Sequence, residues 1–96
     1  IQDEVKDITL EYTTYIQDLA VQLAPKDTGN LRRNIKFHLE NNGYTGVVSS
    51  NAEYGAIVEF GNSTHVPQPY LIPSFDIFAD KYVKAVEKAL EEYLNR

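Results

Sequence analysis

Apolar residues recur at three- and four-residue steps from the first position. Ile1, Val5, Ile8, Tyr12, Tyr15, Ile16, Leu19 and Leu23 share one face of a helix. Asp3, Glu4, Asp7, Glu11 and Asp18 fall mostly off that face, and acids in the opening turns suit the positive end of a helix dipole. Pro25 predicts the end of the element, because the residue before a proline avoids helical angles. From Asn34 the period changes to two: Ile35, Phe37 and Leu39 point one way and Lys36, His38 and Glu40 the other, which predicts a half-buried strand. Asn41-Asn42-Gly43 has the chemistry of a hairpin turn. Residues 44–50 return as a second strand, with Tyr44, Gly46 and Val48 on one side.

Residues 52–60 predict a short helix, capped by Asn51 and ended by Gly61. Gly55 within it costs about 1 kcal/mol relative to Ala, which implies another backbone passing close by. Residues 61–73 read as a loop with Pro67, Pro69 and Pro73, and so long a connection in a small domain is usually functional or reaches for a partner. Ser74 then caps a last helix, whose buried face is expected at Phe75, Phe78, Tyr82, Val86, Ala89, Leu90 and Tyr93, with Asp80 and Lys84 as a four-apart pair outside. The order predicts an α+β fold: a small antiparallel hairpin packed against two long helices, with one short helix, as one domain over residues 1–96. A two-stranded hairpin is marginal alone, so it leans on the helices or on strands from neighbouring copies.

The hinge between first helix and first strand, APKDTGNLRRNI, concentrates unusual residues. Asp27 and Thr28 can accept from following backbone amides as caps do, Gly29 supplies the bend, and a turn runs through Leu31 to Arg33. Glu59 stands out because it sits among Ile57, Val58 and Phe60, where a buried carboxylate is costly without partners. Its expected partners are Arg32, Arg33 or the backbone amides of residues 61–64, and the expected role is to lock hinge to helix.

At 96 residues, 43% of them apolar, the chain can build one modest core. It has no cysteine, which excludes disulfides and thiolate chemistry, and no apolar run long enough to span a membrane. It opens on Ile1 rather than Met, so residues upstream are expected. The formal net charge of −5 is unevenly spread: residues 1–23 carry −4, 24–51 carry +2, 52–72 carry −2 and 73–96 carry −1. That balance argues against sequence-blind nucleic-acid binding, and a basic middle between acidic ends can join one copy to the next. His38 and His65, the only histidines, lack metal-ligand spacing, and there is no phosphate loop or nucleophile elbow, so no cofactor or metal is expected. Asn62-Ser63-Thr64 fits a glycosylation acceptor but is weak evidence for secretion.

Three stretches in order, APKDTGNLRRNI, AEYGAIVEFGN and PQPYLIPSF, resemble the gene-product-ten-like tail-assembly family of Hong Kong type bacteriophages, which includes tail-completion and head–tail joining proteins. The shared positions are Pro25, Asp27, Thr28, Gly29, Leu31, Arg32, Arg33 and Ile35 in the hinge, then Tyr54, Glu59, Phe60 and Gly61, then Pro69, Leu71 and Pro73. Departures are Asn34 for Ser, Gly55 for Ala, Asn62 for Thr, Tyr70 for Phe and Ser74 for Ala. The resemblance implies a non-enzymatic virion protein, assembled in the bacterial cytoplasm, that forms a ring with copies of itself at the head–tail junction and meets tail-tube and head-connector proteins. It places the structural and interface residues at Asp27, Thr28, Gly29, Arg32, Arg33, Tyr54, Glu59, Phe60, Gly61, Pro69, Tyr70 and Pro73. Two other readings stand beside it. One is a peptide-binding module using the hairpin edge and the 61–73 loop. The other is a small enzyme, which would need His38 or His65 near Glu59 or Asp27.

Overall fold

The computed structural model describes residues 1–25, 29–52 and 54–95. Its elements in chain order are α1 (Gln2–Leu23), α2 (Gly29–Arg33), β1 (Ile35–Glu40), a short 3-10 turn at Asn41–Gly43, β2 (Thr45–Ser50), α3 (Gly55–Phe60) and α4 (Leu71–Leu94). This is the expected α+β fold. The expected caps Asp27 and Thr28 lie outside the described residues.

Helix α1 is the central element. It ends at Leu23, and Ala24 is already extended (ψ 141°) ahead of Pro25. The carbonyls left open there are taken by Arg32, whose Nε and Nη2 donate to Ala24 O at 3.1 and 2.8 Å and whose Nη2 also reaches Gln22 O at 3.3 Å. A guanidinium at a helix C-terminus satisfies orphan acceptors and opposes the dipole together. Helix α2 is therefore bolted to the end of α1 by its own arginine.

The hairpin pairs Ile35 with Ser50 through Glu40 with Thr45, antiparallel. Its turn takes positive φ at Asn41 (53°), Asn42 (58°) and Gly43 (93°), which are the residue types that tolerate that region. Asn51 does not cap a helix; its N–H donates to Asn34 O at 3.1 Å and closes the open end of the hairpin. The hairpin lies close against α1. A Cβ on Gly46 would stand 1.8 Å from Thr13 Oγ1 and 2.9 Å from its Cβ, so only glycine lets β2 sit there. Gly46→Ala is expected to cost about 1–3 kcal/mol in a urea melt through overpacking.

Beside the hairpin, α1 runs antiparallel to α4. Thr9 Oγ1 lies 2.8 Å from the Tyr82 hydroxyl, and Tyr12, Tyr15, Phe78 and Tyr82 meet with ring centroids 5.3–6.3 Å apart. The buried α1 positions are Thr9, Thr13 and Ala20 rather than the larger apolar ones. The threonine hydroxyls donate to carbonyls one turn back, Val5 O and Thr9 O, so they are satisfied within the helix and present only small bodies to their neighbours.

The fully buried core is small: Ala20, Ala24, Leu31, Ile35 and Tyr70, where the end of α1, α2, the start of β1 and the start of α4 converge. The molecule is 57 Å long but only 20 by 19 Å across, too thin to bury every apolar face. Three expectations fail on this account. Tyr15 and Leu23 on α1, and Phe75, Leu90 and Tyr93 on α4, are exposed rather than core, while Phe78, Tyr82 and Val86 are half-buried and Ala89 is buried. Phe37 and Leu39 of β1 remain 36% and 37% exposed. Periodicity identified these faces as apolar, but α1 and the hairpin cover only part of them.

Candidate interaction surface

Helix α3 begins at Gly55, three residues later than expected, and ends at Gly61 (φ 74°). Within it Glu59 is 5% exposed. Its Oε1 accepts from Tyr70 N at 2.9 Å and Leu71 N at 2.7 Å, and its Oε2 from Ile72 N at 3.1 Å. These N–H groups open α4 and have no partner inside that helix. The carboxylate of one helix thus caps the next, across a loop, with charge-assisted bonds and a favourable dipole. This corrects the expected partners. Arg32 serves α1, Arg33 is exposed, and the amides of Thr64 and His65 go to Asn62 Oδ1 at 3.0 and 2.8 Å.

The same geometry moves the start of α4 from Ser74 to Leu71. With Glu59 supplying the cap, Ser74 is free to donate to Tyr70 O one turn back. Pro73 falls in the first turn, where a missing N–H costs no helical bond. Tyr70 closes the loop. Its ring is fully buried, and its hydroxyl donates to Gly55 O at 3.2 Å. A Cβ on Gly55 would stand 2.7 Å from Ser50 Oγ and 3.0 Å from that hydroxyl. The close neighbours that require glycine are therefore side chains, not the backbone expected. Tyr54, just ahead, packs partly buried on the core.

Burial pushes the Tyr70 phenol above its ordinary value of 10.0; the nearby Glu59 carboxylate adds to the rise and a hydrogen bond with Ser50 opposes it. The folded state therefore keeps this proton at pH values where the unfolded chain has released it. The resulting stability is complete below about pH 10 and is lost as pH rises through the folded value. Tyr15 is also raised, first by its hydrogen bond to Glu11. The test is thus a comparison: Tyr70→Phe is expected to lose stability less steeply above about pH 10 than the parent chain.

The far end of residues 61–69 is tied back to α3 by Glu59 and by Gln68 N donating to Val58 O at 2.7 Å, and near its start Asn62 N donates to His65 O at 3.0 Å. Val66, just ahead of Pro67, is 82% exposed, and Phe60 at the end of α3 is 67% exposed. In the Asn62-Ser63-Thr64 stretch Asn62 Oδ1 accepts from the Thr64 and His65 amides.

A groove of about 630 Å³ opens between the outer edge of β2 and α4, with α1 as its floor. Its walls are apolar: Tyr12, Ile16, Val48, Phe75, Ala79 and Val83. The sheet has two strands only, so both outer edges are unpaired within the described residues. Sequence reasoning missed the groove. Its signal was present as the width of the apolar arc on α4, where Ile72, Phe75, Ala79 and Val83 lie beside Leu71, Phe78 and Tyr82 and exceed what one helix can cover.

Neither histidine is among the hydrogen-bond partners of Glu59, which are the amides of Tyr70, Leu71 and Ile72. His38 Nε2 pairs with Glu40 Oε1 at 2.8 Å on the exposed strand face, and His65 Nδ1 contacts Asn62 and Thr64 in the loop. Among the described residues no group of His, Asp or Glu could hold a metal ion, and no helix is long and apolar enough to cross a membrane.

Fold and surface together define a small α+β module with open strand edges and uncovered apolar faces. The chain belongs to the HK97-gp10_like family, described as "Bacteriophage HK97-gp10, putative tail-component", whose model matches residues 1–61. Membership is consistent with a structural phage protein. The match takes in the hinge and α3 and ends before the proline loop and α4. Comparison with curated proteins and with solved structures gave no match.

Proposed function

We propose that this chain is a non-enzymatic assembly protein of a phage or prophage tail, which forms a ring with copies of itself at the head–tail junction and there closes the tail end or joins it to the connector. The observation that carries this reading is the uncovered apolar surface along α4 and β1, with Phe75 57% exposed at the groove. Apolar surface of this extent beside unpaired strand edges is normally covered by another protein. Family membership supports a tail setting, and a loop tied back to α3 by the Gln68–Val58 bond, with Val66 82% exposed, suits docking because less freedom is lost on contact.

Light scattering across a wide concentration range, alone and with purified tail tubes, tests the proposal. Oligomers, or a monomer that co-sediments with tails, are expected. A monomer indifferent to tails and connectors would overturn it in favour of a module that adds a foreign peptide as a strand beside β2.

A further inference from the structure

We propose that the groove seats the β1 strand of a second copy: β1 of one molecule pairs antiparallel with the outer edge of β2 in the next, and its Phe37 and Leu39 side chains enter the groove over α1 and α4. This rests on the self-assembly reading above and names the surfaces that carry it.

The first argument is width. Two packed helices span about 20 Å at the usual interaxial spacing of about 8–10 Å. Two strands, about 4.8 Å apart, cover about half of that. The hairpin lies on α1, so the groove side of α4 is left without a roof, and a strand added at the edge of β2 stands over that side.

The second is complementarity. Phe37 and Leu39 pair with Val48 and Gly46, so they point to the same, helix-facing side of the sheet. They lie on the strand that forms one outer edge of the sheet, and α1 leaves them 36% and 37% exposed. A β1 strand added beside β2 keeps the alternation of faces, which directs these two side chains toward Phe75 and Ala79.

The third is charge. β2 ends beside the start of α4, where Ser50 adjoins Tyr70. An antiparallel neighbour therefore brings the residues just before its β1, with exposed Arg33, toward exposed Asp76 and Asp80. The contact joins two different surfaces, so it propagates from copy to copy, and a rotation that closes gives a ring without a free edge. The helix layer of each copy is wider than its strand layer, so the assembly curves with helices outward and the polar strand face, Lys36, His38 and Ser49, inward.

The absence of cysteine makes the test clean. Leu39→Cys and Ala79→Cys are prepared separately, mixed, and treated with a short bifunctional maleimide under assembly conditions. The mixture is expected to give a heterodimer about tenfold or more above either variant alone, because assembly raises the local thiol concentration. The double variant is expected to give a ladder of higher species. Phe37→Cys with Phe75→Cys repeats the test if the first pair perturbs folding by circular dichroism. Cross-linking no stronger in the mixtures than in the single variants, with parent chain that assembles by light scattering, overturns this contact and leaves the assembly reading standing. Parent chain that stays monomeric and ignores tails overturns both.

Discussion

Glu59→Ala is expected to lower the unfolding free energy by about 3 kcal/mol, a large share of what a chain this size has to lose. The carboxylate is 5% exposed and accepts from the amides of Tyr70, Leu71 and Ile72. Removing it leaves those donors without a partner at the start of α4, and adds loss of the charge that opposes the helix dipole. The bonds form one unit, so their separate values do not sum. Glu59→Gln separates the parts. Its single carbonyl oxygen can still accept from Tyr70 and Leu71, while its amide group faces the Ile72 N–H, donor against donor. An intermediate loss of about 1–2 kcal/mol is expected. Amide hydrogen exchange locates the effect: protection at Tyr70, Leu71 and Ile72 falls in Glu59→Ala more than at the centre of α4. A denaturant midpoint unchanged within error would show that the α4 start is stable without its cap.

This interaction also shows what could be read in the sequence and what could not. Glu59 was identifiable because a charge among Ile57, Val58 and Phe60 has to be answered by something. Its partner was not, because candidate cations and candidate amides both lay within plausible reach, and only the path of residues 61–70 decides between them. The end of α1 at Pro25 and the turn at Asn41-Asn42-Gly43 were legible, since each depends on a local backbone preference that tertiary contacts rarely reverse. Ser74 as a cap was a reasonable local inference that failed because the cap comes from another helix. Arg32 followed the same pattern in reverse: its charge suggested a carboxylate, but the open carbonyls of Ala24 and Gln22 were nearer. The apolar periodicity of α4 was correct as a face and misleading as a core. Periodicity reports which positions avoid water, and it is silent on whether their cover belongs to the same chain.

Tyr70 and Phe75 make that distinction measurable. Both are aromatic, five positions apart at the start of α4, and sequence pattern alone favours Phe75 as the core residue. The structure reverses this order: Tyr70 is fully buried and Phe75 is 57% exposed. Tyr70→Ala is expected to cost about 4 kcal/mol, through a cavity among Ala20, Ala24, Leu31 and Ile35 and the loss of its bond to Gly55 O. Phe75→Ala is expected to cost under about 1 kcal/mol in the isolated chain, since most of its surface is already in water. The two variants then part company in assembly. Phe75→Ala removes a wall of the groove without unfolding the chain, so it should weaken self-association or tail binding while its melt stays near that of the parent. Equal and large losses of stability for both would mean that α4 is covered within the monomer after all, and the groove would lose its claim as a contact surface.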